Sequence, residues 1–385
     1  MTDQTQSVDL SKMAEDNSTE EKSTGDERVR KVPAWKRLLH RPEFGAISGT
    51  VLVFVFFLIT AGDSGMFASD GIMNWTTVSA QLGLIAISAC LLMIAGEFDL
   101  SIGSMIGFAG MMMTIPAVYW GWPIWGAILF AFAGAMLIGF LNGYIVVKTG
   151  LPSFIVSLAF LFMLRGLTIA LSILFTNRTI VGGIDKYADG DWLAAVFGGV
   201  IGKSLFVWFA NIGLISSYDD GTPVVEGIPM VIVWCVFLAI AASWILLRTK
   251  YGNWIFATGG DDKAARNVGV PVDKVKISLF MFTAFTATVY AACQVFEFGS
   301  ASADRGVLKE FEAIIAVVIG GALLTGGYGS VIGACFGALI FGVVQMGIFF
   351  TGIDSDWFRV FLGAMLLIAV LFNNYIRKKV TEARH

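Results

Sequence analysis

The segment YGNWIFATGGDDKAARNVGVPVDKVKI, residues 251–277, is polar, carries charges of both signs and lies between two long apolar runs. Within it, DDKAAR predicts a short helix, because Asp261 and Asp262 favour a helix start while Gly269 and Pro271 favour its end. A short charged helix between two membrane spans is suited to docking onto a cytoplasmic partner. We therefore expect the loop 248–276 to bind a partner through Gly260, Asp261, Asp262, Lys263, Ala264, Ala265, Arg266 and Gly269.

The composition indicates a protein that resides in a membrane. Of the 385 residues, 56% are hydrophobic and only 14% are charged, which is too little charge for the surface of a soluble protein of this length. Several apolar runs approach the ~20 residues that cross a bilayer as a helix, and they lack the alternation of barrel strands. The sequence predicts an all-α integral membrane protein.

The apolar runs predict about ten transmembrane helices. We expect these spans at Ala46–Ala61, Trp75–Ala95, Ile102–Tyr119, Ile124–Val147, Ser153–Phe175, Pro229–Leu247, Ile277–Glu297, Glu312–Thr325, Val331–Thr351 and Trp357–Phe372.

One further run, Trp192–Ile215, is long enough to span, but Gly198, Gly199 and Gly202 weaken it and Lys203 lies near its middle. We predict an interfacial or re-entrant element there, within a large outer segment 176–228.

Basic residues set the expected orientation. They concentrate before the first span, in the loop 248–276 and after the last span, and such segments face the cytoplasm. Both termini are therefore predicted to be cytoplasmic. The predicted organisation is a disordered tail 1–42, a membrane domain 43–376 and a basic tail 377–385.

Polar residues inside the span Ile277–Glu297 form one stripe. At 100° per residue they fall within an arc of roughly 80°. Hydroxyl, amide and carboxylate groups suit a hydroxyl-rich solute, although such groups also bond neighbouring helices, and we weigh these two readings evenly. The stripe consists of Thr283, Thr286, Tyr290, Gln294 and Glu297.

A second stripe lies on the span Ser153–Phe175 and includes Ser157 and Arg165. An Arg near the middle of a span costs about 2.5–3.5 kcal/mol on insertion scales, so it must face protein or water. We favour a structural role for Arg165, binding carbonyls at a helix break, over contact with solute.

Several kinds of chemistry are not expected. The two histidines, His40 and His385, lie outside the spans, and no nucleophile–base pair or metal-ligand spacing is present, so we predict no catalytic and no metal-binding residues. The stretch FGGVIGKS, residues 197–204, lacks the first glycine of a phosphate loop. No Asp or Glu lies near the middle of a predicted span, which argues against ion coupling.

Four stretches together resemble the membrane permease of bacterial ABC importers for simple sugars, of the ribose, xylose, arabinose and galactose type. The resemblance covers nearly everything from the first span to the last. The stretches are AGEFDLSIGSMIGFAG (95–110), LNGYIVVKTGLPSFIVSLAFLFMLRG (141–166), YGNWIFATGGDDKAARNVGVPVDKVKI (251–277) and EFEAIIAVVIGGALLTGGYGSVIGACFGALIFGVVQ (310–345).

The resemblance implies the ABC importer permease fold, multi-pass in a bacterial inner membrane, with no cofactor in this chain. It implies four kinds of contact: a cytoplasmic ABC ATP-binding subunit that uses ATP and Mg, an extracytoplasmic sugar-binding protein, a second permease copy forming a homodimer, and membrane lipid. No nucleic acid is expected. The segment Asp261–Gly269 resembles the coupling helix that the ATPase grips.

The stretch GEFDLS, residues 96–101, resembles the family's acidic turn and is called the acidic turn below. We expect Glu97, Asp99 and Ser101 to serve in gating, with Asp99 capping the span that follows. The long N-terminal tail and the insert Trp192–Ile215 depart from the family pattern, which leaves the surface for the binding protein undefined.

Three other functions stay open from the sequence. The nearest is an ABC permease for a branched-chain amino acid or a nucleoside. The two further alternatives are an ion-coupled secondary transporter and a membrane-embedded enzyme.

Overall fold

The computed structural model describes residues 42–354, 356–358, 360–365, 367 and 371. The predicted tail 377–385 and all of the predicted tail 1–42 except Pro42 lie outside the described residues, as do six residues of the predicted span Trp357–Phe372. From Pro42 onward the described chain forms one compact unit.

Eight of the described helices are long and apolar enough to cross a membrane. This result confirms an all-α membrane protein with many spans. The eight are α1 (Pro42–Ala61), α2 (Ser69–Ile94), α3 (Ile102–Tyr119), α4 (Ile124–Thr149), α5 (Ser153–Thr176), α9 (Met230–Arg248), α12 (Val272–Phe298) and α14 (Val331–Phe350).

The short elements lie between these helices. A 3-10 helix (Gly62–Ser64) follows α1, and the remaining elements are β1 (Ile180–Gly182), α6 (Asp185–Ala188), α7 (Trp192–Gly198), β2 (Val200–Ile201), α8 (Lys203–Asn211), β3 (Ile228–Pro229), α10 (Lys250–Gly260), α11 (Asp262–Asn267), β4 (Ser300–Ser302) and α13 (Lys309–Ile319).

The centre of the bundle is formed by α2, α3 and α12. Most residues in the span windows of these three helices are buried, at 83%, 83% and 72%, against 33% or less in α4, α5 and α9. Helix α12 packs on α4, α3 and α2, while α14 packs on α2 and α1. The apolar surfaces of α4, α5 and α9 therefore face outward, as expected for helices in contact with lipid.

Small residues allow the close approaches in this core. A Cβ added to Gly139 of α4 would lie 2.8 Å from Phe280 O, and one added to Gly143 would lie 2.9 Å from Ile277 Cα. On α3, a Cβ at Gly107 would lie 2.7 Å from Ala303 O. These glycines thus act as packing positions where helices approach closely.

The predicted span Glu312–Thr325 is wrong as a continuous helix. Helix α13 ends at Ile319, and the following residues GGALLTGGYGS contain Gly321, Gly326 and Gly327 at positive φ. Glycine adopts this backbone without steric cost, so the glycine-rich run ends the helix. Before α13, residues 299–308 run in a non-helical path along α3, a path that membrane proteins tolerate where protein covers the backbone.

The run Trp192–Ile215 does not form a continuous span, as predicted. It divides into α7 and α8, and β2 between them pairs with β3, with Val200 opposite Pro229 and Ile201 opposite Ile228. Strand β1 of the same outer segment pairs antiparallel with β4, directly after α12. The outer segment is thereby joined to the non-helical run that precedes α13.

Candidate functional site

Helix α11 forms where the sequence predicts it. Asp261 caps its start, because Asp261 Oδ1 accepts hydrogen bonds from the backbone N–H groups of Lys263 and Ala264, each at 3.0 Å. Gly269 follows the helix at a φ of +85°, the backbone conformation that closes helices. The charged segment is therefore a defined helix.

One side of α11 is free for a partner. Ala265 is buried, whereas Asp261, Lys263, Ala264, Arg266 and Val268 are exposed. Arg266 pairs with Asp273 at the start of α12 at 2.5 Å, and this bond raises the pKa of Arg266. The exposed side thus presents charges of both signs beside the apolar Val268.

Lys276 on the first turns of α12 joins α11 to the acidic turn. Its Nζ lies 2.6 Å from Glu97 Oε1 and 3.7 Å from Asp262 Oδ2. The side chains of Lys276 and Glu97 are only 13% and 11% exposed. Lys276 is therefore paired with one carboxylate of the acidic turn and lies close to one carboxylate of α11.

Asp99 holds the acidic turn against its neighbouring helices through hydrogen bonds. Asp99 Oδ1 accepts hydrogen bonds from Ser101 N at 2.9 Å, Ser101 Oγ at 2.6 Å and Asn142 Nδ2 at 3.3 Å. Asp99 Oδ2 accepts from Thr283 Oγ1 at 2.5 Å. The carboxylate therefore connects the turn to both α4 and α12.

The predicted cap by Asp99 differs from the observed contact. Ser101, the residue before α3, makes no side-chain capping bond, and Asp99 bonds Ser101 itself rather than an amide in the first turn of α3. The side chain closes a local turn, in which an Asp accepts from the N–H two residues later. Asp99 therefore fixes the turn rather than the helix.

Two carboxylates at the start of α13 are buried in the bundle. Glu310 and Glu312 are 2% and 6% exposed, and Glu312 pairs with Lys309 Nζ at 2.5 Å. They are buried because the non-helical run 299–308 carries the start of α13 into the bundle alongside α3. Both carboxylates lie in the first turn of α13, near the start of the predicted span Glu312–Thr325.

The lower part of the predicted stripe on α12 is closed by neighbouring helices. Thr283 and Thr286 are fully buried, and the Thr286 hydroxyl lies 2.6 Å from that of Ser88 on α2. These two residues match the alternative in which polar groups bond other helices.

The upper part of the stripe belongs to a polar cluster. Gln294 Nε2 donates to Tyr290 OH at 3.1 Å and to Gln81 Oε1 at 3.5 Å, while Gln81 Nε2 donates to Glu297 Oε2 at 3.4 Å. Arg305 donates to Gln294 O at 3.2 Å. We call Gln81, Tyr290, Gln294, Glu297 and Arg305 the outer polar cluster. Glu297 is exposed, so this cluster is open at its end.

On α5, Ser157 and Arg165 take different positions. Ser157 is fully buried and donates to Phe154 O at 3.4 Å. One terminal nitrogen of Arg165 and Glu310 Oε2 are buried without hydrogen-bond partners among the described residues, and the two side chains interact electrostatically. The carbonyl contact expected for that Arg165 nitrogen is therefore absent from the described structure.

Within the described part of the chain, the structure brings together no group of three His, Cys, Asp or Glu side chains that would hold a metal ion. The geometry connects an exposed charged helix, a largely buried ion pair and a turn that is bonded to α4, α5 and α12.

Comparison with known proteins assigns the chain to a family. The family model described as branched-chain amino acid transport system / permease component matches residues 71–370. The chain belongs to this permease family. It is a multi-pass membrane protein and the permease component of a transport system.

Curated relatives cover nearly the whole permease. The xylose transport system permease protein of Haemophilus influenzae is 28% identical over 358 residues, 86% of this chain and 96% of that protein. The corresponding protein of Escherichia coli is 27% identical over 372 residues, 87% and 92%. The ribose import permease protein of Haemophilus influenzae is 29% identical over 329 residues, 85% and 92%. No solved structure was found to match the chain.

Sequence reasoning missed several residues of the permease. Lys276 was counted only among the basic residues of the loop, and Gln81, Arg305 and Lys309 received no role. Each has a local signal. Lys276 and Gln81 are long polar side chains within helices of mainly apolar sequence, and Lys309 stands three residues before Glu312, the spacing of helical ion pairs.

Proposed function

We propose that this permease is the membrane-spanning subunit of an ATP-driven ABC importer that carries a monosaccharide, a pentose or a hexose, across the bacterial inner membrane. The observation that carries the proposal is the exposed helix α11 joined by Lys276 to the acidic turn. An ATPase outside the membrane needs an exposed element of the permease to which it can bind. The names of the xylose and ribose relatives support a sugar as the cargo.

In this proposal the chemistry belongs to a partner. A cytoplasmic ATP-binding subunit uses ATP and Mg and binds α11. We therefore refer to α11 as the coupling helix. The permease holds no nucleotide and acts by changing shape, because a partner shifts the conformational equilibrium only through contacts that differ between the two states.

Two further partners complete the assembly. An extracytoplasmic sugar-binding protein delivers its cargo to the end of the bundle that carries the outer segment 176–228. A second copy of the permease forms the other half of the pathway, and the outward apolar faces of α4 and α5 supply surface for this copy and for lipid. The outer polar cluster supplies the donors and acceptors that a sugar requires.

A direct test reconstitutes the permease in liposomes with an ATP-binding subunit and a sugar-binding protein from the same organism. We expect ATP-dependent uptake of labelled pentose or hexose that unlabelled sugar competes away and leucine does not. Competition by leucine instead would favour the second candidate, a branched-chain amino acid permease, which the description of the family model supports. Uptake driven by an ion gradient without the ATP-binding subunit would contradict both.

A further inference from the structure

Lys276 makes one of two physical links between the coupling helix and the acidic turn. The pair with Glu97 is short, at 2.6 Å, and shielded from solvent, whereas Asp262 is 45% exposed at 3.7 Å. Salt screens buried pairs much less than exposed ones. Lys276 is thus held firmly by the acidic turn and loosely by the coupling helix.

The second link consists of backbone alone, and we call it the glycine junction: Gly96, Gly259, Gly326 and Gly327. A Cβ on Gly326 would lie 2.8 Å from both Gly96 Cα and Gly259 O, and one on Gly259 would lie 2.7 Å from Gly327 N. The backbone N–H of Gly327 also donates to Ile94 O at 2.8 Å.

Because Gly259 lies in the last turn of α10, two residues before the Asp261 cap, the glycine junction ties the base of the coupling helix to the acidic turn and to the loop after α13. Backbone packed this closely has no room to slide, so a displacement at one of the three segments is passed to the other two.

From the acidic turn the connections continue into the bundle. The backbone N–H of Phe98 donates to Ser153 Oγ at the start of α5, at 3.0 Å. Asp99 accepts from Asn142 on α4 and from Thr283 on α12. Displacement of the turn must therefore break or re-form bonds to three long helices.

We propose that Lys276 and the glycine junction transmit movement of the coupling helix to Asp99, so that the partner motor makes and breaks the contacts of the acidic turn with α4, α5 and α12. Lys276 is a positioning residue, and it does not touch the cargo. The proposal rests on the proposed function, because it assigns the route by which ATP hydrolysis acts on the permease.

The experiment replaces Lys276 with Met and compares this variant with Lys274→Met, which removes the same charge from an exposed position on the same helix. Both are purified with the ATP-binding subunit and reconstituted, and ATP hydrolysis and sugar uptake are measured together. We expect Lys276→Met to retain the ATP-binding subunit and its hydrolysis while uptake per ATP falls by at least about tenfold. Lys274→Met and the conservative Lys276→Arg should remain close to wild type.

A second pair of variants tests the glycine junction without changing charge. Gly326→Ala introduces a Cβ into the junction, whereas Gly150→Ala places one in open space at a similarly left-handed backbone position. Gly326→Ala should uncouple hydrolysis from uptake, and Gly150→Ala should not.

Four results overturn the proposal. The first is unchanged uptake per ATP in Lys276→Met, and the second is a fall of uptake and hydrolysis in constant ratio. The third is loss of the ATP-binding subunit from Lys276→Met but not from Lys274→Met, which would place Lys276 in the docking surface. The fourth is a Gly326→Ala variant that behaves like Gly150→Ala. A wild-type complex without ATP-dependent uptake contradicts the proposed function instead, before any variant is measured.

Discussion

The hydroxyl of Thr283 donates a 2.5 Å hydrogen bond to Asp99 Oδ2, although the two residues stand 184 positions apart in the chain. Thr283 is fully buried, and the other carboxylate oxygen is bonded by Ser101 and Asn142. One side chain of the acidic turn thus holds α4 and α12 together. The polar stripe of α12 begins at this contact.

Replacing Asp99 with Ala should destabilise the permease. Its buried donors would lose their acceptor, which costs about 1–3 kcal/mol for each donor left unpaired. Asp99→Asn should cost less, because the amide oxygen still accepts. The thermal unfolding midpoint of the detergent-solubilised protein measures the effect, and Asp189→Ala at an exposed position is the control. Equal midpoints for Asp99→Ala and the control would contradict the structural role of Asp99.

The glycine contacts between α4 and α12 give a second prediction. Gly139→Ala should lower stability by about 1–3 kcal/mol, because its Cβ would lie 2.8 Å from Phe280 O and from Ala284 Cβ. Gly166→Ala on α5 meets open space and should be neutral or stabilising, since Ala is the better helix former. Unfolding midpoints test the pair. If both substitutions had the same effect, the close approach of α4 and α12 would be refuted.

Reversing charge on the coupling helix should abolish uptake without preventing insertion. Arg266→Glu removes a cation from the exposed side of the helix and places a second carboxylate beside Asp273. Reversing the charges of Asp261 and Asp262 should act similarly. We expect at least about tenfold less uptake, with normal amounts of protein in the membrane fraction. The matched control is Arg178→Glu, at an exposed residue that follows the C-terminal end of α5. Normal uptake by a well-inserted Arg266→Glu protein counts against docking at this helix.

Residues of the outer polar cluster should affect transport more than lipid-facing ones. Gln294→Ala removes the donor to Tyr290 and Gln81, and Tyr290→Ala removes the acceptor. We expect either change to alter uptake rate or sugar selectivity, and Leu129→Ala on the outward face of α4 to leave both intact. Unchanged transport kinetics together with unchanged stimulation of ATP hydrolysis would make the cluster a structural feature.

Local signals predicted the coupling helix well. Asp261 at its cap and Gly269 after its end are recognisable in the sequence alone, and the structure places both as expected. The long helices are likewise predicted by a local signal, the length of the apolar runs. By contrast, apolar content misled the prediction at Glu312–Thr325, where Gly320, Gly321, Gly326 and Gly327 end the helix despite their apolar surroundings.

Burial of charge could not be predicted, because it depends on contacts distant in sequence. Asp99 and Glu97 follow a span end and resemble solvent-facing residues until Thr283 and Lys276 are placed against them. Likewise, the hydroxyls of Thr283 and Thr286 share a helical face in the sequence. Only the packed neighbours, among them Ser88, show that this part of the face is closed.

The central claim is that the permease is a gate driven by a separate ATPase acting through α11. The most direct measurement is concentrative sugar uptake into liposomes that contain the complete complex, with an ATP-binding subunit that binds ATP but cannot hydrolyse it. We expect no accumulation of sugar above the external concentration with this subunit, and full accumulation with the unmodified subunit. Accumulation at the unmodified rate without hydrolysis would contradict the central claim.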